Sequence, residues 1–458
     1  MVVIGLGPGG EEVAGRLAEA GLSVVGIEKE LVGGECPYWG CVPSKMMIRA
    51  ANLLAEARRA DTMAGHSTVQ ADWTPVARRI REEATDTWDD SVAVDRFVTK
   101  GGRFVRGEGV VSGPGRVTVG DLEIEASQGI VVATGTVPVI PPVPGLNGLP
   151  YWTNRDAIKT EEVPESLLVL GGGAIGLELA QVFARFGCQV TVVEGAPRIV
   201  PMEEPEASEL IEAVFTAEGI EVRTDHAVTG ARQNGPLLTL QLADGSEING
   251  HRLLVATGRR TAFAALGLGA LGLDSSSRWI DVDDRMRAAP GVWAVGDVTG
   301  KGLFTHMAMY QADIAVNDIL GRRGHAADYR AVPRVTFTDP EIGSVGLSHE
   351  AALTAGVRVR TGFTPLPSST RGWIHKAGNE GFIKLVEDAD NHVLVGATSA
   401  GPSGGEVLGV LALAVHARVP IESLDSMILA YPTFHRAIGD AVRDLRAQNA
   451  SGPLAGAS

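Results

Sequence analysis

The chain has 458 residues, with 40 basic against 55 acidic side chains and a formal net charge of −15. So acidic a surface offers no electrostatic footprint to nucleic acid or anionic lipid, and 45% hydrophobic with 21% charged residues excludes a disordered chain. At about 150 residues per domain the length predicts about three domains, three cysteines exclude a secreted disulfide framework, and the 58 glycines, above the usual ~7% share, belong in turns and ligand loops.

No stretch reads as a membrane span. The most apolar runs, 166–183 and 406–421, are broken by Glu178, by His416 and by glycines. The start, Met1-Val-Val-Ile4, lacks a basic leader and runs straight into a motif. The expected setting is cytoplasmic, with neither nucleic acid nor membrane among the partners.

In chain order, residues 2–10 (VVIGLGPGG) form a short apolar strand running into G-x-G-x-x-G at Gly5, Gly7 and Gly10. A helix-like run and a second apolar strand ending in Glu28 follow. The first glycine permits the tight turn, and the second lets backbone approach a pyrophosphate. The third lets helix and strand pack, and the acid bonds a ribose. The unit recurs at 168–176 (LVLGGGAIG) with Gly171, Gly173 and Gly176. Its acid, Glu194, lies 23 residues beyond the first glycine, as Glu28 does in the first copy. One such motif is a common glycine-rich turn. Two, in strand-turn-helix context with matching acids, predict two dinucleotide sites.

Directly after Glu28 comes Gly33–Lys45 (GGECPYWGCVPSK), with Cys36 and Cys41 five apart at the opening of a helix. In a regular helix five residues rise about 7.5 Å, too far for a bridge. A disulfide here therefore requires a distorted first turn, to which Pro37, Gly40 and Pro43 are suited. A helix N-terminus also favours the thiolate. Two buried structural cysteines are the alternative. A metal site fails on ligand count, because only the distant Cys188 remains and no histidine is near. Cys188 is expected to pack as a small hydrophobe.

Helical patterns follow at about 43–62 and 74–99, then a β-rich piece at about 103–125. Ile130–Gly135 (IVVATG) closes the first unit, as Leu253–Gly258 (LLVATG) closes the second. The Pro-rich stretch 138–145 reads as a linker, as does Ala289-Pro290-Gly291 before Val292–Asp297 (VWAVGD). Beyond residue 331 alternating strands (334–347, 381–398) mix with helices (about 349–355 and 405–418), with no nucleotide motif. A tail from about 446 is expected to fray.

The combination of G-G-x-C-x-x-x-x-G-C-x-P-S-K, two nucleotide fingerprints and the late Gly296-Asp297 resembles the FAD-dependent pyridine nucleotide–disulfide oxidoreductases. The likeness is strongest to the dihydrolipoamide dehydrogenase and mercuric reductase branch, and it covers essentially the whole chain. Pro333–Leu347 resembles the opening of that family's dimerisation domain. The resemblance implies an α/β fold with two Rossmann-like dinucleotide-binding domains and a C-terminal α+β dimerisation domain, assembled as a homodimer. The FAD-binding domain would span 1–150 and 271–331, the NAD(P)-binding domain 151–270 and the dimerisation domain 332–458. It places FAD at Gly5, Gly7, Gly10, Glu28, Lys45, Thr134, Gly135 and Asp297, and the nicotinamide dinucleotide at Gly171, Gly173, Gly176 and Glu194. Cys41 takes the flavin-proximal place and Cys36 the outer, interchange place of a redox-active disulfide. Lys45 takes that of the lysine near the flavin, and Glu178 that of its acidic partner. An acid at 194 favours NAD(H), with a free 2′-OH, over NADP(H). Arg198 reads as surface rather than a phosphate clamp.

The departures bear on the acceptor. The family carries His-Pro-Thr-x-x-Glu near the C-terminus, which crosses the dimer to supply a general base and its orienting acid. Here Tyr431 replaces that histidine and Arg436 the glutamate, and His435 is the neighbouring candidate for acid–base work. A tyrosine there also resembles mercuric reductases, yet no cysteine follows Cys188. Tyr38 and Trp39, between the cysteines, are read as covering the disulfide or stacking on a flat acceptor. The expectation is an enzyme passing electrons from NADH through FAD to Cys36–Cys41, then to a small-molecule electron acceptor other than lipoamide. Two alternatives stand beside it. One is an NAD(P)H:quinone or metal-ion reductase acting directly from the flavin, the other a flavin-bound redox sensor with little turnover.

Overall fold

Strands Val2–Ile4 and Ile130–Val132 are apolar and buried at every position, the pattern of central strands in a parallel sheet covered on both faces. In the computed structural model, which describes residues 1–448, they lie at the centre of a six-stranded sheet. Its order is Arg287–Ala289, Val292–Ala294, Ile130–Val132, Val2–Ile4, Val25–Glu28, Arg103–Arg106. All neighbours are parallel except the hairpin partner Arg287–Ala289. Alternation along the strands sorts the packing. Val3 and Val131 bury against helices Pro8–Glu19 and Thr305–Ile319. Val2, Ile4, Ile130 and Val132 bury against a three-stranded meander over 110–125.

The second unit repeats this plan. Ser166–Leu170, Gln189–Val193, Glu221–Arg223 and Arg252–Val255 form a four-stranded parallel sheet. Helix Ala174–Arg185 covers one face, and an antiparallel sheet of Val228–Asn234, Leu237–Leu242 and Glu247–Gly250 covers the other. After this unit the chain returns to the first sheet, where Val292–Ala294 pairs with Ile130–Val132. The last part is a five-stranded antiparallel sheet, Pro333–Thr336, Glu341–Gly346, Val393–Gly401, Phe382–Asp388 and Val359–Pro365. Helices Gly404–His416 and Arg436–Gln448 pack on it. The α/β class read from the sequence holds, with an α+β third part.

Three expectations need correction. The pattern at 74–99 is not one helix: Thr74–Arg79 continues as a π turn over Ile80–Ala84, then breaks at Asp86, Thr87 and Trp88, all at positive φ, before Ser91–Thr99. Asp90 holds the break open by accepting from Val32 N–H at 2.7 Å and from Arg106 at 2.5 Å. Strand Val359–Pro365 was not foreseen because its inward positions are Val359, Gly362 and Thr364, too weakly apolar to read. Gly362 serves close packing, since a Cβ there would sit 2.3 Å from Ala441 O on the last helix. That helix runs through 448, so the chain is ordered past 446, and the rest of the tail lies outside the described residues.

Candidate active site

The two fingerprint loops have the same geometry. Gly5 and Gly171 have φ of +90° and +115°, and a Cβ would meet a carbonyl of the closing strand at 2.5 and 2.4 Å. A Cβ on Gly10 or Gly176 would lie 1.9 or 2.2 Å from the carbonyl of that first glycine. Gly7 and Gly173 face open space, with nothing within 4 Å. Each heads a helix whose first turn has no side-chain cap, so its amides remain free for a phosphate. The acids match too. Glu28 accepts from Leu6 N–H and Glu30 N–H, both at 2.8 Å, and Glu194 from Gly172 N–H at 2.7 Å and Ala196 N–H at 2.8 Å. Backbone bonds thus aim both carboxylates and leave lone pairs for a ribose. Arg198 spends its guanidinium on Val200 O, Pro201 O and Ser208 Oγ, so it makes no phosphate clamp.

The cysteine loop leaves the first fingerprint at close quarters, for a Cβ on Gly34 would sit 2.8 Å from Gly7 Cα. Cys36 lies in the short helix Glu35–Trp39, and Cys41 opens helix Cys41–Arg59. The distortion between them falls at Gly40 (φ −142°, ψ −112°) rather than at either proline. The two free thiols share a hydrogen bond, which shifts their pKa values in opposite directions. Sharing a proton with Cys36, helped by Thr305 and the Lys45 ammonium, brings Cys41 down to about 6. The bond to Cys41, together with burial, drives Cys36 far up. The pair therefore carries one proton on Cys36 and one charge on Cys41 near neutrality. Cys188 is buried in the apolar core, its thiol pushed up to about 12 by burial.

Lys45, one turn beyond Cys41, gives its ammonium to Glu178 Oε2 at 2.6 Å and sits 4.6 Å from the centre of the Phe337 ring. Glu178 is 5% exposed and also accepts from Phe337 N–H at 2.9 Å. One carboxylate thus joins the cysteine helix, the second nucleotide unit and the C-terminal sheet.

Asp297 follows Gly296 (φ +80°) and accepts from Thr136 Oγ1 at 2.7 Å, while burial holds its pKa above the usual carboxylate range. Arg259 donates to Thr136 Oγ1 at 2.9 Å and to its carbonyl at 2.8 Å. Thr136 and Arg259 were missed in the sequence, although the repeat marks both: each directly follows the Thr-Gly that ends its unit. Thr134, exposed, and Gly135 (φ +65°) lie beside them. Glu35 was missed too; it pairs with Arg155 at 2.5 Å and Arg259 at 3.4 Å, tying the cysteine loop to the second unit.

A cavity of about 630 Å³ opens beside Cys36, with Pro8, Glu12, Tyr38, Asp89 and Thr305 among its walls. Trp39 is absent from these walls. It stacks on Trp88 at 5.6 Å under the Lys159 ammonium, so it anchors the loop and does not cover the sulfurs. Tyr431 and His435 also lie elsewhere, on the C-terminal part. Tyr431 is 70% exposed with its hydroxyl 3.3 Å from Thr370 Oγ1, and His435 sits in the turn before the last helix. Arg436 pairs with Asp440 at 3.2 Å.

The family model described as pyridine nucleotide-disulphide oxidoreductase matches residues 1–312, and that of its dimerisation domain matches 332–442. The chain belongs to the pyridine nucleotide–disulphide oxidoreductases. A dihydrolipoyl dehydrogenase from Chlorobaculum tepidum is 34% identical over 97% of this chain and 96% of its own. A mercuric reductase from Acidithiobacillus ferrooxidans is 33% identical over 94% of this chain and 80% of its own. Among solved structures, LpdA from Mycobacterium tuberculosis superposes with a TM-score of 0.85 at 27% identity, over 96% of this chain and 98% of that one. The HOCl-induced flavoprotein disulfide reductase RclA from Escherichia coli gives 0.85 at 25% identity, over 96% and 99%. These oxidoreductases are FAD-dependent enzymes that use NAD(H). Relatives that are dihydrolipoyl dehydrogenases give no support to the expectation of an acceptor other than lipoamide, and it is withdrawn. No helix among the described residues is long and apolar enough to cross a membrane.

Proposed function

We propose that this oxidoreductase carries an electron pair from NADH through FAD to Cys36 and Cys41 and delivers it to a small-molecule disulfide. The observation that carries this reading is the placement of Cys36 and Cys41 on either side of the distortion at Gly40, with the Lys45–Glu178 pair one turn beyond Cys41. FAD, when bound, relays the two electrons between a hydride donor and a disulfide. Gly7 and the free amides of helix Pro8–Glu19 hold its pyrophosphate, Glu28 its ribose and Asp297 its ribityl chain. The loop of Gly173 and Glu194 holds NADH.

The thiols then act in sequence. Cys36 gives its proton to the acid–base group and attacks one sulfur of the acceptor as its thiolate, the acceptor S–S bond breaks, and the first thiol leaves with that proton. Cys41 thiolate attacks Cys36 Sγ in the mixed disulfide, expels the second thiol and restores Cys36–Cys41. The sum is NADH, H⁺ and one disulfide to NAD⁺ and two thiols. In the proposed homodimer the exposed loop of Ile428 and Tyr431 faces the partner, so that Tyr431 and His435 serve acid–base work across the interface.

Steady-state NADH oxidation with lipoamide, other disulfides, quinones and metal ions tests this reading. Turnover with a disulfide supports it. Turnover with quinones or metal ions alone would favour direct transfer from the flavin, and no turnover a sensor. NADH is also expected to exceed NADPH in kcat/KM, because a 2′-phosphate would meet the Glu194 carboxylate at a cost of about 1–3 kcal/mol. Glu194→Ala should narrow that gap, and equal efficiency of the two donors in the wild type would remove Glu194 from the ribose site.

A further inference from the structure

Resting on the dithiol reading above, we infer that Thr305 is a positioning residue that fixes the negative charge of the reduced pair on the inner sulfur, Cys41. Thr305 comes from a segment 264 residues away, and its Oγ1 lies 3.4 Å from Cys41 Sγ, hydrogen-bond distance for sulfur. It also lines the cavity into which Cys36 opens. The hydroxyl has no local duty. It belongs to the first residue of helix Thr305–Ile319, whose N-cap position is Phe304 and which has no side-chain cap bond.

The groups that face the two sulfurs are few. Among the described residues they are the sulfurs themselves, Lys45 from the helix that Cys41 opens, and Thr305, whose hydroxyl favours the thiolate of either sulfur but has its hydrogen-bond contact with Cys41. Lys45 is engaged by Glu178, and His306 is committed elsewhere, its Nε2 lying 2.9 Å from Pro333 O. Thr305 is thus the neutral donor of the site. A hydroxyl donates far better to a thiolate than to a thiol. It therefore rewards ionisation of the sulfur it touches and takes no proton in doing so. With the charge held on Cys41, Cys36 keeps the proton until it is drawn off for the first attack, and Cys41 is ready as a thiolate for the second.

The test uses the FAD-loaded Cys36→Ser protein, in which Cys41 is the remaining redox sulfur. A Cys41 thiolate against oxidised FAD gives a long-wavelength absorbance, and its pH titration reports Cys41 alone. Adding Thr305→Val, which keeps the shape and removes the donor, should move the midpoint up by about one pH unit, a tenfold change in proton affinity. Adding Thr305→Ser should restore it. If Thr305→Val loses FAD, Thr305→Ala is read in its place with the same expectation. A midpoint unmoved by loss of the hydroxyl overturns the inference while leaving the dithiol reading intact. No long-wavelength absorbance in Cys36→Ser at any pH would instead overturn the dithiol reading itself.

Discussion

Cys41→Ser is expected to abolish disulfide reduction, lowering kcat/KM at least ~10³-fold, or about 4 kcal/mol in barrier, with FAD still bound. The reason lies in the division of labour at Gly40. Cys41 opens a 19-residue helix, and its thiol is lowered to about 6 by Cys36, Thr305 and Lys45. A serine hydroxyl at that place stays protonated and can neither hold the charge nor expel the acceptor thiol. Cys36→Ser should be equally inactive toward disulfides but spectrally opposite, showing the long-wavelength absorbance before any reductant is added. Measured together, kcat/KM and the visible spectrum separate the two sulfurs. Full activity in either variant toward the disulfide that the wild type reduces would show that electrons bypass the pair.

The second large effect is expected at the third glycine of each fingerprint. A Cβ on Gly10 would approach Gly5 O to 1.9 Å, and one on Gly176 would approach Gly171 O to 2.2 Å. Both contacts are with backbone, so a helix must move away from its strand. Gly10→Ala should leave the protein without FAD, or insoluble, because helix Pro8–Glu19 carries the amides of that site. Gly176→Ala should keep FAD and lose NADH, with kcat/KM for NADH down at least ~10²-fold, about 2.7 kcal/mol. The flavin-to-protein ratio and the rate of flavin bleaching by NADH distinguish the two. Loss of FAD from the Gly176 variant would contradict the assignment of the two loops.

Much of this geometry was legible in the sequence because it is local. A glycine that must take φ of +90°, or admit a carbonyl at 1.9 Å, announces itself by residue type, and the repeat doubles the signal. The distortion between Cys36 and Cys41 followed from helix rise alone, although its position at Gly40 did not. What escaped depends on contacts between distant segments. Trp39 read as a cover for the sulfurs because its partner Trp88 lies within a break at Asp86–Trp88 that no glycine marks. The ring and amide of Phe337, on either side of the Lys45–Glu178 pair, come from the C-terminal part. Glu35, Thr136 and Arg259 form one cluster from three places in the chain, and although the repeated Thr-Gly precedes the last two, nothing in the sequence says that they meet. The acceptor is the least legible feature. Neither the walls of the cavity beside Cys36 nor the tyrosine at 431 names a substrate.

The most direct test of the central claim is a count of reactive thiols in the oxidised protein before and after one equivalent of NADH, without oxygen, with alkylated sites located by mass spectrometry. The account predicts that two thiols appear per chain, at Cys36 and Cys41, with Cys188 unchanged. Bleaching of the flavin with no new thiol at either cysteine would contradict it.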